Sequence, residues 1–239
     1  MTNMARQLVI EAFDQIVGEW LGDLDLRRPL EVAVVGGLAQ EPELDSLVRL
    51  GVDFEVTTLG LEGTDLLLEL NAVNPKFSPE KRFDLLLCSQ VLEHVWNHEA
   101  FFTNLTMLCS EGTRLWLAAP KANRPHASPD FYSAGFTQSY LTLNLENYQF
   151  RVVESGEVGS RRLYESALLS RTWLSVKAYR FPIAAYIFDD SRPVLTRLLL
   201  SIGKFPQNLR FTFLSGSCSS DPRWATESWA LAVYEPSNN

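Results

Sequence analysis

Between positions 5 and 21 the apolar residues fall into two rows, Leu8, Ala12, Ile16, Trp20 and Val9, Phe13, Val17, Leu21, each stepping by four. Arg6, Glu11, Asp14 and Glu19 mostly occupy the other face, so the spacing predicts an amphipathic helix over 5–21 that leans on the rest of the chain, at a pocket edge. The rhythm then shortens. Residues 31–35 (EVAVV) form a β-branched run closed by Gly36 and Gly37, the pattern of a buried strand followed by a tight turn. Residues 43–50 return to helical spacing and stop at Gly51, read as the C-cap. Strands are predicted at 52–58, at 66–70 (a helical reading is also open), at 83–88 (FDLLLC), 114–119 (RLWLAA), 150–154 and 229–234 (WALAVY). Residues 91–109 read as mainly helical, and 137–148 as a helix with Thr137 at its N-cap.

Strands that alternate with helices predict an α/β class and a mostly parallel, doubly wound sheet covered on both faces. In such sheets ligands bind beyond the carboxyl ends of the strands, so chemistry is sought where the first, second, fourth and fifth runs end. The stretch before the last strand is far longer than a hairpin needs. Within it, 163–179 and 193–202 are helix-like and 211–214 suggests a small strand, so an insertion over about 160–210 reads as a helical cap or an oligomer contact. The whole of 1–239 reads as one domain.

Composition narrows the field. Hydrophobic residues make up 46% and charged residues 21% of 239 positions, enough apolar material for a sizeable core. The formal net charge of -8 repels phosphate backbones and argues against nucleic acid as a main partner. No apolar run reaches membrane-spanning length, and the start of the chain runs into an amphipathic segment rather than a signal peptide. Cys88 and Cys109 lie in apolar stretches and read as buried thiols, and Cys218 completes an odd number. The expected compartment is the cytoplasm.

Residues 83–95 (FDLLLCSQVLEHV), followed by 111–120 (EGTRLWLAAP), resemble the class I S-adenosylmethionine-dependent methyltransferases, in particular the group with a Leu-Glu-His signature. The resemblance covers about 30–153. It implies a Rossmann-like, mostly parallel seven-stranded sheet with an antiparallel last strand and the helical insertion before it. It also implies S-adenosyl-L-methionine as cofactor and a methyl-transfer activity. Two departures stand out. Val34 occupies the place of the family's first-strand acid, and Leu38 that of the turn's second glycine. At the end of the second strand the nearest acid is Glu62, displaced toward the loop. The cofactor-binding residues the resemblance suggests are Gly36, Gly37, Glu62, Glu69, Leu70, Ser89, Gln90 and Glu93.

Glycines after a first strand let the backbone approach a ligand, though the pair alone also fits a plain strand-to-helix turn. Polar Ser89, Gln90, Glu93 and His94 directly after an apolar strand need partners, which a cleft or ordinary caps and salt bridges can supply. His94 and His98 are four apart, as in helical metal sites, yet the run EHVWNHE is not His-Glu-x-x-His and no further ligands cluster near it. No metal is expected, and His98 reads as a surface residue. The loop after the fifth strand offers His126 as general base and Asp130 to orient it or bind an acceptor hydroxyl, with His94 as second base candidate. Tyr164, Trp173, Tyr179, Phe181, Tyr186 and Phe188 read as an acceptor pocket or as core, and Arg161 and Arg162 as a weak anion site. The expected reaction is O-methylation of a small molecule such as a sugar or biosynthetic intermediate. The alternative is a non-catalytic, methyltransferase-like scaffold subunit. Either could pair with a second copy through the insertion. A nicotinamide enzyme ranks below both, because the fuller glycine fingerprint is missing.

Overall fold

Along Leu30–Val35 (β1), Ala33 and Val35 pack into one apolar layer and Val32 and Val34 into the other. That two-residue alternation places the strand between two covered faces. The computed structural model describes residues 4–22, 24, 27–61, 63–73, 82–122, 130–159, 223 and 225–236. Its remaining elements are α1 (Met4–Leu21), α2 (Pro42–Arg49), β2 (Phe54–Gly60), β3 (Leu66–Leu67), β4 (Phe83–Ser89), α3 (His98–Met107), β5 (Cys109–Pro120), α4 (Gln138–Asn147), β6 (Phe150–Val158) and β7 (Glu227–Tyr234). A single 3-10 turn spans Leu92–His94.

The strands form one seven-stranded sheet in the order β3-β2-β1-β4-β5-β7-β6. All run parallel except β7, which is antiparallel to both β5 and β6. The order reverses beside β1, which opens a crevice over the carboxyl ends of β1 and β4.

The face that carries Val32, Val34, Leu85, Leu87 and Trp116 is covered by Val9, Phe13, Val17 and Trp20 of α1. Phe13 meets the Trp116 ring at 4.9 Å, and Trp116 stacks on Trp229 at 5.4 Å. A fully buried Phe at such a site contributes about 3–5 kcal/mol relative to Ala. The helix therefore covers the sheet itself rather than a pocket rim. On the opposite face Phe101, Phe102 and Leu105 of α3 and Leu141 and Leu145 of α4 close the second layer. Asp84, the one charge in the FDLLLC run, pairs with Arg28 at 2.7 Å and accepts the Glu31 amide at 2.9 Å, pinning the start of β4 beside β1.

α2 ends in a Schellman motif. The Gly51 amide donates to Val48 O and the Val52 amide to Leu47 O, with Gly51 at φ +70 one position beyond the cap residue Leu50.

Four elements differ from the sequence reading: the third strand, expected over 66–70, is only Leu66–Leu67, and three others depart further. The segment 91–109 is not one helix: Gln90 is left-handed (φ 59), the Leu92–His94 turn follows, and α3 starts afresh at His98 under an Asn97 cap that accepts the Ala100 amide. β5 begins at Cys109, where polar Ser110–Gly112 hide a bulged start. There Thr113 Oγ1 accepts the Ser110 amide and donates to Phe83 O. β6 runs on to Val158 because β7 pairs with it along its whole length. The expected helices at 163–179 and 193–202, the small strand at 211–214, the aromatic set from Tyr164 to Phe188, Arg161, Arg162 and Cys218 lie outside the described residues. No helix among the described residues is long and apolar enough to cross a membrane.

Candidate functional site

At the carboxyl ends of β1, β2 and β4 lies an open cleft of about 710 Å³. Gly36, Gly37 and Leu38 form one side, Gly60, Leu61 and Thr64 the second, residues 68–72 the third, and Gln90, Val91, His94, Val95, Trp96, Asp130 and Tyr132 the fourth.

The glycine turn is built by packing as much as by approach. Gly36 is at φ +72, and a Cβ there would stand 2.7 Å from a Val91 methyl carbon. The missing side chain lets Val91 close against the turn while the Gly36 backbone stays exposed to the cleft. At Gly37 a Cβ would stand 2.6 Å from Glu41 Oε1 and 2.9 Å from a Val34 methyl carbon. Val34 itself is buried in the α1 layer, and Leu38 is exposed on the rim.

β2 delivers Gly60 and Leu61 to the cleft. Glu62 lies outside the described residues. The nearby Asp65 faces the chain instead: the Thr58 amide and hydroxyl both donate to it, which holds its carboxyl below the ordinary value.

On the third side Glu69 and Leu70 line the cleft, and Glu69 Oε1 accepts the Asn71 amide at 2.8 Å. Three asparagines, none chosen as a site residue from the sequence, hold this wall. Asn71 Oδ1 accepts the amides of Trp96 (2.8 Å) and Asn97 (3.2 Å), and Asn97 Nδ2 returns a bond to Asn71 O. Asn104 Nδ2 donates to Glu69 O and Ala72 O. Only Asn97, just before a helical run, carries a sequence signal, that of an N-cap.

The end of β4 splits its polar residues. Ser89 turns away from the cleft and donates to Glu43 Oε1 at 2.7 Å. Glu43 is fully buried and also accepts Trp116 Nε1 and Arg6 Nη2. Gln90 lines the cleft, but its amide donates to Glu227 Oε2 at 2.7 Å. Glu93, the middle residue of the 3-10 turn, is buried, and its backbone carbonyl accepts the Tyr132 amide at 2.8 Å. That bond draws the 130–133 loop against His94.

His94 and Asp130 thus share one wall. Their contact runs from His94 Nδ1 to the Asp130 backbone carbonyl, not to its carboxylate. A carbonyl only accepts, so Nδ1 carries a proton in this contact. His126 lies outside the described residues.

His98 differs from its surface reading. It is half-buried between Phe136 and Tyr140, donates from Nε2 to Val95 O at 3.0 Å, and accepts the Tyr140 hydroxyl on Nδ1. Burial pushes its pKa down. His94 and His98 stand on separate elements, and among the described residues no three His, Cys, Asp or Glu side chains gather as a metal site.

The charge of the lining is one-sided. Glu69 and Asp130 contribute carboxylates, and no Lys or Arg lines the cleft among the described residues. A phosphate-bearing nucleotide would find no cation there, whereas a neutral or cationic molecule would meet complementary charge.

No family model matches the chain, and no curated protein matches it in sequence. Solved structures match in fold. The MccD protein is similar at TM-score 0.54 and 10% identity, over 96% of this chain and 97% of that one. The StiE O-MT (residues 961–1257) is similar at TM-score 0.50 and 12% identity, over 97% and 77%. A SAM dependent methyltransferase from Archaeoglobus fulgidus gives TM-score 0.49 and 12% identity, over 95% and 94%. The fold is that of the class I S-adenosylmethionine-dependent methyltransferases.

A methyltransferase fold keeps a cofactor site only if its crevice stays open, and here it does. The volume suits a nucleoside-sized ligand. Leu68, Leu70, Val91 and Val95 give apolar walls beside the exposed Trp96 ring. Glu69 offers an acceptor, and a lining without Lys or Arg among the described residues suits a sulfonium. The residues present fit the cofactor.

Proposed function

We propose that the chain is an S-adenosylmethionine-dependent methyltransferase that O-methylates a small molecule such as a sugar or biosynthetic intermediate. The observation that carries this reading is the open cleft at the tips of β1 and β4, lined by two carboxylates and by no Lys or Arg among the described residues. The bound cofactor supplies an electrophilic methyl group.

The chain's own residues do the rest. The exposed backbone at Gly36 and the half-buried Gly37 bound one end of the ligand, and Glu69 accepts a hydrogen bond from a ring amine against the Leu68, Leu70 and Trp96 wall. Gln90 closes the floor, with its side chain held by Glu227. His94, fixed through Nδ1, takes the proton of the acceptor hydroxyl on Nε2. Asp130 and Tyr132 border the acceptor, and His126 is the second base candidate. A net charge of -8 agrees with a small acceptor rather than a nucleic acid, and a cytoplasmic setting with buried thiols fits the same reading. A pairing of two copies through 160–210 remains part of the proposal.

A second reading is a scaffold subunit that keeps the fold without catalysis. It is favoured by Val34 and by the filling of both glycine Cβ positions by Val91 and Glu41. Calorimetry with S-adenosylmethionine and S-adenosylhomocysteine separates the two. Binding that raises the melting temperature, weakened by Glu69→Ala, is the enzymatic outcome. No heat at millimolar ligand and an unmoved melt is the scaffold outcome. If the cofactor binds, His94→Ala or His126→Ala lowers turnover far more than cofactor affinity, whichever is the base.

A further inference from the structure

The polar interior behind the glycine turn is wired to the first helix. Arg6 of α1 is almost fully buried, and its Nη2 donates to Glu41 Oε2 at 2.9 Å and to Glu43 Oε2 at 2.8 Å. Glu41 is the residue before α2, yet its side chain makes no cap hydrogen bond. The carboxylate is committed elsewhere: Oε2 to Arg6, and Oε1 in the space a Cβ of Gly37 would need. The Glu41 amide also closes the turn by donating to Leu38 O at 3.2 Å. Val34, beneath the same turn, offers no polar group at all. The turn over 36–40 thus rests on the Glu41 carboxylate, itself held by one buried guanidinium, alongside the Gly36 amide's bond to Leu59 O and the packing of Val91.

We propose that Arg6 is a positioning residue for the cleft: through Glu41 it holds the 36–40 turn in the shape that receives a ligand, although Arg6 itself does not line the cleft. The consequence for affinity rests on the cofactor reading above; the hold on the turn does not. Glu43 braces the arrangement from the other side, because Ser89 Oγ and Trp116 Nε1 fix its second oxygen. The link thus runs from α1 through α2 to the tips of β1 and β4, a chain of packed and charge-assisted bonds. The groups that face Glu41 are Arg6 from α1, Glu43 from α2 and the Cys88 thiol from β4. Burial raises the Glu41 carboxyl above the ordinary value, with Arg6 opposing and Glu43 adding to the rise. Protonation of Glu41, which burial favours over that of a free carboxyl, would weaken its bond to Arg6.

The test compares the full chain with Arg6→Met, Arg6→Lys and Glu41→Gln. It reads amide hydrogen exchange at 36–41 against β1 and β4, and S-adenosylhomocysteine affinity at pH 7.5 and 5.5. In Arg6→Met the turn amides exchange faster while the strands do not, and affinity falls by roughly tenfold, the scale of one lost charge-assisted bond. Arg6→Lys recovers part of that loss, since a point charge still reaches one carboxylate. Glu41→Gln, which keeps the Arg6–Glu43 pair and so the docking of α1, reproduces the loosened turn and flattens the pH dependence. Turn exchange unchanged in Glu41→Gln, or a turn and strands that loosen together in every variant, overturns the proposal. If the unaltered chain takes up no S-adenosylhomocysteine, the cofactor reading fails and turn exchange alone decides the role of Arg6. If Arg6→Met does not fold, the other two variants decide it.

Discussion

Gln90 Nε2 donates to Glu227 Oε2 at 2.7 Å, tying the end of β4 to the start of β7 across 137 positions of sequence. The bond explains why a glutamine holds a left-handed backbone (φ 59) directly after a central strand. From the lining of the cleft its side chain reaches a carboxyl buried at the start of β7. Burial pushes that carboxyl up to about 8; the Gln90 bond lowers it and the nearby Glu93 raises it.

Glu227 should therefore make the fold sensitive to alkali. The unfolded carboxyl releases its proton near 4.5 and the folded one near 8, so the folded state binds more protons between them. Stability from this group is complete below the lower value and is lost as pH rises through the upper one. Relative to Glu227→Gln, the unaltered chain loses about 1.4 kcal/mol per pH unit across that window and then levels off. Denaturant melts from pH 5 to 9 measure the difference. Parallel curves for the two chains would show that Glu227 is ionised throughout.

Gly36 carries two separate demands, and substitution exposes both. Alanine at φ +72 costs about 1–2 kcal/mol in backbone strain. Its Cβ would also stand 2.7 Å from Val91, which must move. Val91→Ala removes the second cost but not the first. In a double-mutant cycle, Gly36→Ala with Val91→Ala should be less damaging than the sum of the single changes. Strict additivity in urea unfolding would mean that Val91 does not pack on the turn.

The layout was legible where local chemistry alone decides it. Residues 83–88 read as a central strand because both faces of β4 are buried, and 137–148 read as a helix because Thr137 caps it by accepting the Tyr140 amide. Long-range partners were not legible. Nothing around Ser89 signals that it serves Glu43, which lies on α2, and nothing around Arg6 signals that it is buried between two acids. The helical reading of 91–109 failed because the Leu92–His94 turn ends at an extended Val95, and Asn97 caps a fresh helix from His98. Of the Leu92–His94 run only His94 lines the cleft, and the carbonyl that meets its ring comes from Asp130, far along the chain.

Asn71 should behave as a wall support. Its side-chain oxygen is the acceptor for the Trp96 and Asn97 amides, at 2.8 and 3.2 Å. Asn71→Ala strands both donors, at a cost of about 1–3 kcal/mol, softened where water reaches Trp96. Because Trp96 and Val95 line the cleft, ligand affinity should fall along with stability. Asn71→Asp, which keeps the acceptor, should retain most of both. Tryptophan fluorescence of a chain with Trp96 as reporter, followed with melting temperature, checks the pairing. An unchanged melt in Asn71→Ala would remove the asparagine from this role.

His98 sets an acid limit on the same wall. Its neutral ring satisfies both nitrogens at once, accepting from Tyr140 and donating to Val95 O. A second proton would leave Nδ1 facing a hydroxyl that must then reverse its role, inside a site partly closed to water. Burial accordingly holds the folded pKa below the ordinary 6.5. The unfolded chain takes up its proton first as pH falls, so stability present above 6.5 is lost as pH drops through the folded value. Compared with His98→Phe, which cannot titrate, the unaltered chain should be more stable at pH 7.5 and lose that advantage progressively as pH falls below 6.5. The gap in melting temperature across this range measures it. Because the ring anchors the Val95 carbonyl beside the cleft, ligand affinity should weaken over the same interval in the unaltered chain and less so in His98→Phe. A constant gap would place the titration elsewhere and leave His98 a packing residue.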